Sequence, residues 1–154
     1  MDKLNFKIVD AKPFRSAFIS SVVMNVVLAL GAFLIIRGIV PITPPFIISN
    51  SISQVAMYVV IIGSFLYINS IKSKTHDIAK ITDFNEKMRR YERLSKQRYF
   101  AYLYSAFVSA ILMLVSFRMV FFYFTLVDIL LVIPFYPSLR LFRTELKDEE
   151  IVFS

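Results

Sequence analysis

Arg118 and Asp128 are the only charged residues in the stretch 99–139. A charge in hydrocarbon costs at least about 2.5 kcal/mol, so each is expected to have a partner. A helical turn at Tyr123 would place the two on opposite arms at one depth, where they would form a structural clasp, and Thr125 would cap the following helix. A turn near Met119 would instead bury Asp128 at the bilayer midplane. We favour the turn at Tyr123, with proton transfer by Asp128 as the functional alternative to the clasp.

Uncharged polar residues form a second candidate site. Asn25, Ser109 and the pair at 63–64 are predicted to lie near the middle of their helices. In a bilayer such residues, together with small ones, mark where helices meet. We therefore expect hydrogen bonds between helices. The expected packing faces consist of small and polar residues at helical spacing: Ala17, Ser21, Asn25 and Ala29 in the first span, Ala56, Gly63 and Ser70 in the second, and Ala101, Ser105 and Ser109 in the third. A polar path for an ion or small solute is the alternative.

Residues suited to catalysis or metal binding are scarce. His76 is the only histidine and has no spaced set of further ligands, and the chain has no cysteine. The three glycines do not form a phosphate-binding loop. The sequence therefore predicts no catalytic, cofactor or metal site, and no enzyme.

Long uncharged stretches are the dominant feature of the chain, whose composition is 57% hydrophobic. About 20 helical residues cross about 30 Å of hydrocarbon. We expect an all-α integral membrane protein with four transmembrane helices, arranged as two helical hairpins. The predicted spans are 16–36, 52–71, 99–121 and 125–141.

Lysine and arginine distribution predicts the orientation. They concentrate before the first span and in the loop 72–98, which should be cytoplasmic. Both termini are then cytoplasmic, and a bacterial inner membrane suits the small size. The first span reads as a retained anchor rather than a signal peptide. The acidic tail 144–154 is expected to be solvated, although it could fold against the basic loop.

The loop 72–98 is predicted to be a helical extension of spans two and three that bends near Asp83, whose spacing to Glu86 fits a capping box. An apolar stripe runs along it at helical spacing: Ile81, Phe84, Met88, Tyr91 and Leu94. One interpretation is that the two arms of this hairpin pack on each other. The other is a surface for a protein partner or anionic headgroups, formed by Met88 and Tyr91 with Arg89, Arg90, Arg93 and Lys96. Topology already explains the basic charge, so nucleic acid is not an expected partner.

Two hypotheses for function follow. The first, which we favour, is a non-catalytic subunit or scaffold of a membrane complex that binds a partner protein or its own copies through the basic hairpin. The second is a small oligomeric transporter or channel that uses the polar residues within the membrane.

Overall fold

The computed structural model describes residues 6–43 and 46–154, and within these the chain is almost entirely helical. In chain order its elements are β1 (Lys7–Val9), α1 (Lys12–Ile36), α2 (Asn50–Ala79), α3 (Phe84–Ser116), α4 (Val120–Val132), α5 (Leu139–Leu146) and β2 (Ile151–Phe153). A single 3-10 turn, Ile133–Phe135, extends α4.

Three helices, α1, α2 and α3, are long and apolar enough to cross a membrane. The extended α4 and α5 meet at 79° and make a fourth candidate when they are counted as one broken span. The bend has a local cause, because Pro134 and Pro137 cannot donate the backbone hydrogen bonds that would continue α4 into α5. An all-helical chain with three to four candidate spans is therefore confirmed.

The small-residue face predicted for α1 is buried. Ser21, Asn25 and Ala29 all face inward, in the helix that packs on α3 and α4. Ser21 Oγ donates a hydrogen bond to the carbonyl of Tyr99 at 3.1 Å, which ties α1 to α3. The face predicted for α2 is different, because Gly63 and Ser70 are exposed.

The turn between α3 and α4 lies at residues 117–119, so the predicted turn at Tyr123 is wrong. Helix α3 ends where Phe117 adopts a left-handed conformation with φ of 54°. Such a residue closes a helix by turning the backbone away from the helical path. Thr125 therefore lies inside α4, where its hydroxyl bonds to the carbonyl of Phe121, and does not cap a helix.

The opposite turn, between α2 and α3, lies where the sequence predicts it. Helix α2 ends at Ala79. The Asp83 carboxylate caps α3 by accepting a hydrogen bond from the backbone N–H of Asn85 at 3.2 Å. No glycine or proline interrupts the following 33 residues, so α3 extends for about 50 Å. We call the end of the bundle that contains this turn the charged end.

A small folded unit of β1, α5 and β2 covers the charged end, and we call this unit the cap. Strands β1 and β2 pair in parallel, with Lys7 opposite Ile151. Together with α5 they cover the apolar stripe, so that Tyr91 packs against Phe14 and Phe142. Leu146 and Ile151 are fully buried in this cap. The expectation of a solvated tail is therefore wrong. The tail contains the apolar side chains of Leu146 and Ile151, and burying them is more favourable than leaving them in contact with water.

Candidate functional site

Helix α2 stands apart from the rest of the bundle along most of its length. Only 6% of its most apolar stretch is buried within the chain, against 44% for α3. It is held at its two ends. At one end Ser53 is fully buried, and at the other Ile71 and Ile78 enter the core of the cap.

The separation leaves an open groove between α2 and α3, with a volume of about 1580 Å³. Its walls run from Ala56 to Thr75 on α2 and from Arg89 to Leu112 on α3. Gly63 lies in the α2 wall, and no atom lies within 4 Å of the position that a side chain would occupy there. Most of the wall is apolar, as in pockets that accept apolar ligands.

The charged end of the groove is lined by basic residues from both helices: Lys72, Lys74, Arg89, Arg93 and Lys96. Lys96 pairs with Glu92 on its own helix at 2.6 Å. Among the described residues, the structure records no ion pair for the other four. This end of the groove therefore carries uncompensated positive charge.

A buried ion pair closes the groove at its base. Arg98 Nη1 lies 3.1 Å from Glu145 Oε1, and the Arg98 side chain is 5% exposed. Arg98 also donates to Thr75 of α2 at 3.4 Å and stacks at 4.4 Å over the ring of Phe135. The Tyr91 hydroxyl donates to Glu145 at 2.7 Å. One cluster thus joins α2, α3 and α5.

Burial raises the pKa of Tyr91 well above its usual range, and the adjacent Glu145 carboxylate raises it further. The phenol therefore remains a hydrogen-bond donor at neutral pH. Sequence reasoning missed this cluster, since Arg98 and Glu145 are separated by 47 positions and were assigned to the basic loop and the acidic tail. Neither position has a local signal for pairing.

Asp128 lines the groove without Arg118. Its carboxylate accepts a hydrogen bond from Ser105 Oγ of α3 at 2.8 Å. Arg118 lies in the turn at the other end of the bundle, where it donates to Ser53 Oγ at 3.3 Å. Because α4 begins at Val120, Asp128 lies about 12 Å deeper along the helix axis than the start of α4. The predicted clasp between Arg118 and Asp128 is therefore wrong.

Of the second candidate site, Gly63 and Ser64 line the groove, whereas Asn25 and Ser109 do not. Asn25 is fully buried, and among the described residues no partner is recorded for either polar atom of its amide. Ser109 is buried on α3. Ser21 and Ser105, and not Asn25, form hydrogen bonds between helices. Ser64 and Asp128 thus share the groove, and Asn25, Ser109 and Arg118 lie outside it, so the candidate polar residues do not all lie on one path.

The predicted partner surface is divided between the two sides of α3. Arg89, Arg90, Arg93 and Lys96 are exposed, and we call these four residues the basic face. Tyr91 is 1% exposed and Met88 packs against the core of the cap. Their assignment to the partner surface is wrong, because the N- and C-terminal strands and α5 cover the apolar stripe.

Within residues 6–43 and 46–154, no group of three histidine, cysteine or carboxylate residues lies close enough together to hold a metal ion. Comparison of the chain with known protein families, curated proteins and solved structures found no match. The groove and the basic face are therefore interpreted from their own chemistry.

Proposed function

We propose that this protein is a non-catalytic subunit or scaffold of a membrane complex, and that it binds a partner protein through the basic face. We place it in the cell membrane, most simply a bacterial inner membrane, with both termini cytoplasmic. The carrying observation is that four exposed cations lie along one side of α3. Arg90 and Lys96 pair with acids one turn away on the same helix, and among the described residues no ion pair is recorded for Arg89 and Arg93.

Distance from the hydrocarbon supports a protein partner for Arg89 and Arg90, the part of the basic face that lies farthest from the membrane. Arg89 precedes Tyr99, where the uncharged stretch of α3 begins, by about 15 Å along the helix axis. Headgroups extend only about 5–8 Å beyond the hydrocarbon on each side. Arg89 and Arg90 would therefore stand in water beyond the headgroups, where an acidic segment of a partner can reach them.

The cap favours recognition without rearrangement. The apolar side of α3 is already packed against Phe14, Phe142 and Ile151. The basic face is consequently presented on a helix that is fixed along its opposite side. Recognition would rely on charge, which accelerates association and selects partners more than it adds affinity.

The test is purification in a mild detergent, with measurement of particle mass and identification of bound proteins. A photo-crosslinking residue at position 93 should join the chain to an acidic segment of the partner. Arg89→Glu with Arg90→Glu should release that partner. Lys12→Glu with Arg140→Glu makes the same change in charge at exposed residues elsewhere and should retain it. A crosslink to an apolar segment, or equal binding by the two double variants, would contradict the proposal.

A small oligomeric transporter or channel is the second candidate function. One observation favours it, namely that Asp128 and Ser105 place a polar pair on the wall of the open groove. Ion flux in reconstituted vesicles that Asp128→Asn abolishes, while Asn25→Leu leaves it intact, would support this function. Absence of flux for common monovalent cations and protons would count against it.

A further inference from the structure

We propose that the groove between α2 and α3 binds one anionic glycerophospholipid. Its phosphate would lie between Lys72 and Lys74 of α2 and Lys96 of α3, and its acyl chains along the apolar walls. The inference rests on the bilayer placement proposed above. It does not depend on the partner protein, because of the basic face it uses only Lys96, and its other two cations, Lys72 and Lys74, belong to α2.

The walls explain why acyl chains would enter the groove. In a bilayer, a mostly apolar cleft that is open to lipid is filled by hydrocarbon, and the polar pair on its wall, Ser105 and Asp128, is already joined by a hydrogen bond. The volume of about 1580 Å³ exceeds the roughly 300–1,000 Å³ of sites for drug-sized ligands. Because Gly63 has no side chain, the groove is wider at this point of α2, and Val59 and Val108 provide apolar surface.

The position of the cations explains why the headgroup would be anionic. Lys72 directly follows the uncharged stretch of α2, and Lys74 lies about 3 Å farther along the axis. Lys96 precedes Tyr99 on α3 by about 5 Å. All three therefore fall within a headgroup layer of about 5–8 Å, unlike Arg89 and Arg90. Basic pockets between helices at this depth are sites for anionic headgroups.

A bridge between the two helices holds the two sides of this site together. The Tyr67 hydroxyl donates to the carbonyl of Gln97 at 3.2 Å, and both residues line the groove between its basic end and its apolar walls. At the base, Arg98 contacts Thr75 of α2 and pairs with Glu145 of α5. Helices α2 and α3 are thus joined on both sides of Lys72 and Lys74, which distinguishes this site from loosely held lipid around the protein.

The experiment uses the full chain in nanodiscs of phosphatidylcholine that contain a minor fraction of phosphatidylglycerol. Native mass spectrometry counts the retained lipids, and competition gives the preference for phosphatidylglycerol. Lys72→Gln with Lys74→Gln should reduce that preference roughly 10- to 30-fold, since each basic residue near the surface contributes about a 5-fold effect. Lys12→Gln with Arg140→Gln, the matched control, removes two exposed cations that do not line the groove and should leave it unchanged.

A second pair of variants tests the apolar part. Gly63→Leu should displace the retained lipid by filling the groove, and Gly31→Leu makes the same change on α1, outside the groove, also with open space around it. Neither should alter the fold. Equal lipid retention by these two variants, or an unchanged preference in the lysine variant, would overturn the proposal. A protein helix crosslinked to position 63 in place of lipid would overturn it as well.

The outcomes separate this inference from the proposed function. If Lys72→Gln with Lys74→Gln loses the lipid preference but keeps the partner, both proposals stand. Loss of the partner in the Arg89 and Arg90 variant concerns the proposed function alone, because the nanodisc assay contains no partner.

Discussion

The cap and the middle of α2 contain similar apolar side chains in opposite environments. In the cap, Tyr91 and Phe142 are each 1% exposed, whereas Phe65 and Leu66 of α2 are 64% and 62% exposed. Water would penalise the exposed residues of α2, but lipid would not. The cap therefore has to bury its apolar groups within the chain, and α2 is free to leave a groove.

The largest expected effect is the loss of a buried ring from the cap. Phe142→Ala should lower the free energy of unfolding in detergent by about 3–5 kcal/mol, because it removes a fully enclosed aromatic side chain. Phe65→Ala makes the same chemical change on α2 and should cost less than about 0.5 kcal/mol. Thermal unfolding in detergent checks both variants, and similar losses would show that α2 is packed like the cap.

The buried ion pair should have the next largest effect. Arg98→Met leaves the Glu145 carboxylate without its cation and should destabilise the protein by about 3 kcal/mol. Adding Glu145→Leu should recover part of this loss, because an apolar pair no longer carries an unpaired buried charge. Glu149→Gln changes an exposed acid of the same tail and serves as control. Additive losses in the double variant would argue against direct pairing.

Coupling between helices offers a smaller effect. Ser105→Ala and Asp128→Asn should be coupled by about 1 kcal/mol in a double-mutant cycle, since their side chains share a hydrogen bond. Arg118→Gln and Asp128→Asn should show coupling below about 0.5 kcal/mol, because the two residues have different partners. Coupling of Asp128 to Arg118 instead would restore the clasp and require a different turn.

The smallest effect concerns Lys7 at the edge of the cap. Hydrogen bonds to Asp148 and Glu150 raise the pKa of Lys7 above its ordinary 10.5. Its contribution to stability is therefore complete below pH 10.5 and is lost as the pH rises through the higher folded-state pKa. NMR titration of labelled lysines should show Lys7 titrating above the ordinary value of 10.5. Asp148→Asn with Glu150→Gln should abolish the difference, and an unshifted Lys7 in the parent protein would contradict the contact.

Features that depend on nearby residues were predictable from the sequence. The long uncharged stretches identify α1, α2 and α3 as candidate spans, and the spacing of Asp83 and Glu86 identifies the start of α3. The inward face of α1 follows from small and polar residues at helical spacing, Ser21 and Asn25 among them. In each case the signal lies within a few turns of one helix.

Features that depend on distant residues were not predictable. The turn at Phe117 needs a positive φ, which non-glycine residues rarely adopt, so the residue types at this position gave no signal for the turn. Strands β1 and β2 have three residues each, too short for a recognisable pattern, and their pairing joins opposite ends of the described chain. The groove also escaped prediction, because a span that lacks neighbours has the same composition as one that is packed.

The pairing of β1 with β2 also determines when the cap can close during synthesis. A ribosome makes β1 before α1 and β2 after α5, so the cap cannot close until all the helices have been made. Until then the aromatic and aliphatic groups that surround Tyr91 remain uncovered, as in other folding intermediates with exposed apolar surface. Closure of the cap thus distinguishes a chain that has been synthesised through β2 from one that is arrested before it.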